Sequence, residues 1–276
     1  PGVGGDADVY TTAFCGLVLL ADNDPAHLGA IKRGIGFVKK ASIDSIDLDD
    51  PKVGPKNWQT AANGIFLAEY QLATGDKTFW EDLKTCCDLL AKRVTEQGTM
   101  GHHFAIPYSG GGLIVINVQA HLAWALAEKC GHPIDEKAWE NSLREVRKSE
   151  DRKTGALGYS SRAPGSPDVA ARTGAMATAL GVAGREKAFA KSLAESLVRL
   201  NARMRHAHAM SSIGMIFGLQ STSLRLLRRA RAALGACVRC STRCVCEYLR
   251  SSRMRTRAWL TPSRCRRGQL WAAPPG

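Results

Sequence analysis

The stretch WQTAANGIFLAEYQLATGDKTFWEDLKTCCDLLAKRV, residues 58–94, decides the fold. From Trp58 to Thr74 small and apolar residues run round every side of a would-be helix. Gly75 ends it, because glycine takes the left-handed conformation of a helix terminus without a Cβ penalty. Asp76 then caps a restart, and Phe79, Leu83, Leu90 and Val94 recur on one face while the other face is charged. Two helices so closely joined are antiparallel neighbours, a hairpin.

The same unit appears on either side of this stretch. Val9 to Ala21 is small and apolar, Asp24 and Pro25 suit a cap and a first helical position, and Leu28, Ile31, Ile35 and Val38 form one face. A third pair runs from about Val115 to Cys130, breaks at Gly131 and resumes after Asp135 with Trp139, Leu143 and Val146. A fourth runs from Asp168 to Ala183, breaks at Gly184 and returns with Phe189, Leu193, Leu197 and Leu200, and His206 to Leu219 has the pattern of a fifth first helix. The corners Asp24, Asp76, Gly131 and Gly184 lie 52, 55 and 53 residues apart, a repeat signature.

The first helices also share a pattern, Thr12-Ala13-x-x-Gly16-Leu17-x-Leu19 and Thr60-Ala61-x-x-Gly64-Ile65-x-Leu67, echoed by Thr173 and Leu180. Helices this rich in Ala, Gly and Thr pack closely in an inner ring, with the amphipathic second helices outside. The expected fold is therefore all-α: tandem helical hairpins over residues 1–220 forming a partial α/α toroid, followed by a non-globular tail over 221–276. An open solenoid is the alternative, disfavoured because its repeats are usually shorter, about 34 to 47 residues.

Four segments carry a family likeness: Phe66-Leu67-Ala68-Glu69-Tyr70-Gln71-Leu72-Ala73-Thr74-Gly75-Asp76, Gly101-His102-His103-Phe104-Ala105-Ile106-Pro107, Ala171-Arg172-Thr173-Gly174-Ala175-Met176-Ala177 and Arg205-His206-Ala207-His208-Ala209. Over about Val9 to Leu219 the chain resembles a bacterial domain family of unknown function. The resemblance implies the α/α toroid shared with terpenoid cyclases and protein prenyltransferase β-subunits, with a PDZ domain upstream in some members. It brings no established reaction.

Charge separates the body from the tail. The net charge is +13, but Ser221 to Gly276 holds 13 Arg, no Lys or Asp and one Glu, leaving the first 220 residues close to neutral. Nucleic acid is a partner only through this Arg-rich tail, if it is a genuine in-frame segment. The tail also lacks Asn, His, Ile and Phe and is crowded with Arg, Cys, Ser, Ala and Pro, the bias that a GC-rich gene gives in a wrong frame. That points to a frameshift near Gln220. Its Cys237, Cys240, Cys244 and Cys246 are too closely spaced for two zinc knuckles, and Cys15, Cys86, Cys87 and Cys130 fall in helical patterns as small hydrophobes. The sequence calls for no metal and no cofactor. The longest apolar run, Ala13 to Ala21, is far short of the roughly 20 residues that cross a bilayer. The first residue is Pro1 rather than Met, which places the true start, with any targeting signal, ahead of it.

Asp47-Leu48-Asp49-Asp50 matches the DxDD acid of class II terpene cyclases, but that chemistry needs a deep aromatic cavity. Only 7% of residues are aromatic, so a solvated acidic linker fits better. Among the histidines, His27 and His132 fall at corners, where solvation is expected, and His121 lies in an inner helix as a satisfied core residue. The connections entering the inner helices are different, because each is loaded with groups that bind or do acid–base work. They bring Asn57, Trp58 and Gln59; His102, His103 and Tyr108; Tyr159, Arg162 and Arg172; and His206 and His208, with Asn117 just inside the third inner helix. In a toroid these ends meet at one mouth, with Trp58, His103, Tyr159, Arg172 and His208 around one concavity. His102, His103, Tyr159 and Arg172 are the candidate catalytic set; Trp58, Gln59, Tyr108, Asn117, His206 and His208 are the candidate ligand-binding set. The alternative is that all of them merely cap helices. Helix N-termini and arginine favour an anionic ligand. The readings are lyase-like acid–base chemistry on an acidic glycan, a non-catalytic module binding a peptide or glycan, or a terpenoid- or prenyl-processing enzyme.

Overall fold

The computed structural model describes residues 6–103, 112–164 and 169–200. Within them the chain forms eight α-helices: α1 (Asp6–Asp22), α2 (Leu28–Ala41), α3 (Asn57–Thr74), α4 (Trp80–Lys92), α5 (Ile114–Lys129), α6 (Glu136–Lys148), α7 (Ala170–Ala183) and α8 (Lys187–Arg199). The only β pairing among the described residues is two isolated bridges, Glu150 with Leu157 and Ser160 with Ala163. No helix is long and apolar enough to cross a membrane, among the same residues. Tyr108, His206, His208, the fifth first helix and the tail lie outside the described residues.

The helices alternate in character. Nearly every residue of α5, from Ile114 to Ala127, is buried, as is α3 from Thr60 to Ala68, whereas α6 buries one face through Trp139, Leu143 and Val146. The first helices therefore stand in a row, α1 on α3, α3 on α5 and α5 on α7, with α2, α4, α6 and α8 each packed on its own partner. The repeated glycines explain the closeness of the row. A Cβ on Gly16 would stand 2.2 Å from the Phe66 ring of α3, and one on Gly64 would stand 3.2 Å from Ala123 of α5.

Short turns close each hairpin at one end. Gly75 and Gly184 take positive φ and end α3 and α7, and the Asp135 side chain caps α6 by accepting from the Ala138 amide at 2.9 Å. Two local readings need correction. The helix after Gly75 starts at Trp80 rather than Asp76, because the Asp76 carboxylate accepts the Thr78 amide and hydroxyl and folds 76–79 into a turn. Asp24 and Pro25 do cap, but they cap a 3-10 turn, Pro25–His27, that leads into α2.

Candidate functional site

The opposite end of each hairpin is built differently. Connections 42–56, 93–113 and 149–169 enter α3, α5 and α7, and their described residues are held by polar atoms of their neighbours. The α3 entry is the most ordered. The Asn57 amide donates to the His102 carbonyl at 2.8 Å, and its side-chain Nδ2 donates to the carbonyls of Gly101 at 2.9 Å and His103 at 3.3 Å. That grip lays residues 101–103 across the start of α3. Trp58 Nε1 then donates to His102 Nδ1 at 2.6 Å, with the rings stacked 25° apart. An indole N–H only donates, so Nδ1 is the bare nitrogen and the neutral ring carries its proton on Nε2. His103 Nε2 lies 2.9 Å from the Gly54 carbonyl, which only accepts, so that nitrogen also carries a proton.

The same backbone contact recurs one repeat on, where the Ile114 amide donates to the Tyr159 carbonyl at 3.2 Å. His102 and Tyr159 are thus structural equivalents. Arg172, buried on α7, donates from Nε to the Leu157 carbonyl at 3.2 Å and holds its guanidinium carbon 5.9 Å from the centre of the Tyr159 ring. Of the expected grouping of Trp58, His103, Tyr159, Arg172 and His208, Trp58 meets His102, the neighbour of His103, and Arg172 meets Tyr159, while His208 lies outside the described residues. Arg162, in the same connection as Tyr159, is exposed. Gln59 turns back to accept the Lys56 amide at 2.9 Å, and Asn117 donates to the Gly98 carbonyl and to Ser142 Oγ at 2.7 and 2.8 Å. Both are engaged with the backbone at these entries.

Three residues complete this end without having stood out in the sequence. Tyr10 of α1 meets Trp58 edge-on, and its hydroxyl donates to Gln119 Oε1 of α5 at 3.2 Å, in a setting where burial raises the phenol pKa. Gln119 Nε2 is buried with no partner among the described residues. Since α1 and α5 both flank α3, this bond spans the row. The third residue is Arg93, whose guanidinium grips loop 51–55. The only signal was a basic residue at a helix end, which reads equally as a dipole partner.

Histidines elsewhere depart from expectation. His132 is buried rather than solvated, stacked on Trp80, and burial lowers its pKa. His121 is buried as expected but unsatisfied, because Trp124 and Trp139 meet it edge-on and neither ring nitrogen has a partner among the described residues. Cys15 is exposed, on the edge face of α1. The DxDD acids are exposed, and Asp47 accepts the amides of Asp49 and Asp50 in a turn. Among the described residues no three His, Cys, Asp or Glu side chains are placed to share a metal.

A row of small-residue helices carried on amphipathic ones, with aromatic and imidazole groups fixed at the entries to α3 and α5, defines a helical-hairpin repeat protein with one elaborated end. The chain belongs to the family described as domain of unknown function (DUF6288), whose model matches residues 5–241 and so runs on past Gln220. Neither a curated protein nor a solved structure matches it.

Proposed function

We propose that the hairpins form part of an α/α toroid and that its elaborated mouth is a glycan-binding site with a preference for acidic sugars. The observation that carries this reading is the meeting of side chains from three repeats at one end: Tyr10, Trp58 with its partner His102, and Gln119. The Tyr10–Gln119 bond supports curvature. In a flat row, helices on either side of a third stand about 16 to 20 Å apart at ordinary packing distances, more than these two side chains comfortably bridge. The half-buried Trp58 ring, with His102 stacked beside it, suits the apolar face of a sugar. Arg93 at the entry to α3 and Arg172 at the start of α7 give this end positive potential, which favours an anionic sugar.

Titration calorimetry with uronic-acid and neutral oligosaccharides tests the reading. Saturable binding of the acidic series is expected, with Trp58→Ala weakening it by roughly tenfold or more while helicity is unchanged. Failure of both series to bind, or indifference to Trp58→Ala, would remove the proposal. The Arg172–Tyr159 pair favours a second reading, proton abstraction in a lyase-like reaction, because a cation beside a phenol favours the phenolate, which takes the substrate proton and becomes the neutral phenol. New unsaturated sugar ends, lost in Tyr159→Phe, would show it; binding without such ends would leave a binding module.

A further inference from the structure

We infer that Arg93 is the positioning residue of the mouth, fixing Trp58 against His102 through a cage of backbone carbonyls; this rests on the mouth being the binding site.

Arg93 follows the last turn of α4 and is only 2% exposed. Its Nε donates to the Pro51 carbonyl at 2.8 Å and Nη2 to the Val53 carbonyl at 2.6 Å, while Nη1 donates to the Pro55 carbonyl at 2.5 Å and to Asn57 Oδ1 at 3.0 Å. All four acceptors are neutral dipoles, and no carboxylate among the described residues answers the charge. A buried cation without a counter-ion is costly and is kept where its geometry is needed. Burial pulls its pKa down to about 10, so it stays charged near neutral pH.

The geometry it supplies is a closed circuit. Arg93 takes the carbonyls of residues 51, 53 and 55, and the carbonyl between the last two, Gly54, accepts from His103. Arg93 also holds Asn57 Oδ1, which aims Nδ2 at the carbonyls of Gly101 and His103. Two connections, 42–56 and 93–103, are thereby tied to one another round the start of α3. His102 lies in the tied segment and Trp58 is the second residue of the helix, so their 2.6 Å bond is set by this circuit. Only a planar fork reaches four acceptors in these directions. A lysine has the charge but not the fork.

The test uses the full-length chain labelled with nitrogen-15, without any ligand. The Trp58 indole N–H resonance, assigned by its loss in Trp58→Phe, should lie downfield, as a short bond to an imidazole nitrogen requires. In Arg93→Lys it should move toward the position of a free indole and exchange with solvent at least tenfold faster. The Trp124 indole, which donates to the Cys87 carbonyl in the core, should stay in place and report an intact fold. Arg93→Ala provides the second arm: millimolar methylguanidinium should restore the Trp58 signal, and methylammonium should not. An unchanged Trp58 resonance in Arg93→Lys, or in Arg93→Ala no rescue or equal rescue by both cations, would overturn the assignment. Uronic-acid oligosaccharide affinity should fall with the Trp58 signal. If the resonances behave as expected and no sugar binds, the functional reading fails and the positioning role stands; the reverse pattern leaves the site without this role.

Discussion

The two ends of the hairpins are held by opposite means. At the corners, turns of three to six residues join paired helices, and charges meet counter-charges near the surface. Asp76 accepts the Tyr70 hydroxyl at 2.6 Å and pairs with Lys32, while Arg185 bridges Glu128 and Glu136. At the opposite end, the longer connections entering α3 and α5 are fastened by Asn57, Arg93 and Asn117 to the carbonyls of described residues, out of solvent and, among those residues, without an ion pair for Arg93. Exposed pairs are worth little each and tolerate change. A buried polar network is costly when any member is lost, and so is retained where one geometry matters. The contrast sets buried polar geometry at the entry end against plain closure at the corners.

Two glycines put the comparison at its sharpest. Gly98, in the mouth connection, has φ of 88°, and a Cβ there would stand 1.9 Å from the Asn141 carbonyl oxygen. Gly98→Ala should cost about 4 kcal/mol in urea denaturation, from backbone strain plus a clash with backbone. Gly75, at a corner, has φ of 74° but open space around it, so Gly75→Ala should cost only about 1 kcal/mol. Equal costs would break the contrast.

Asn57→Ala should cost about 3 kcal/mol, because it strands the carbonyls of Gly101 and His103 and one guanidinium N–H. The same logic applies to Arg172, whose burial and bond to Leu157 make Arg172→Ala a loss of stability as well as of any ligand contact.

The unsatisfied core histidine gives a pH test. Desolvation, with a smaller push from Arg185, takes the His121 pKa down to about 3. Because the unfolded chain binds the proton near pH 6.5 and the folded one does not, stability is full above about 6.5 and falls as pH drops toward 3. At pH 4.5 the loss should be about 2 to 3 kcal/mol, measured by urea denaturation, and His121→Phe should flatten it. Asp76, whose pKa hydrogen bonds from Thr78 and Tyr70 lower, supplies stability that is lost only below about pH 4, outside most of that window. A profile unchanged by His121→Phe would place the acid sensitivity elsewhere.

The smallest effect belongs to a corner. Arg185→Ala, which removes contacts of 2.6 to 2.8 Å to two half-exposed glutamates, should cost about 1 kcal/mol and lose much of that in high salt.

The corners and the alternation of helix types were legible in the sequence, since Gly75, Gly131, Gly184 and Asp135 act through their own backbone and neighbours. The entry segments were legible as places, because Trp58, His102, His103 and Tyr159 are unusual in so small-residue a chain. Their partners were not. Arg93 reads as a helix-end base until the 51–55 carbonyls surround it, and Tyr10 and Gln119 lie 109 residues apart and meet only when α1 and α5 flank α3. His132 looked solvated at its corner until Trp80 covered it. Contacts fixed by helix packing leave no local signature.

The most direct measurement is the Trp58 indole resonance of the labelled chain during titration with uronic-acid oligosaccharides. The account predicts a saturable shift at Trp58 while the core indoles of Trp124 and Trp139 stay fixed. No shift at Trp58, or equal shifts at all three, would contradict a binding site at the mouth.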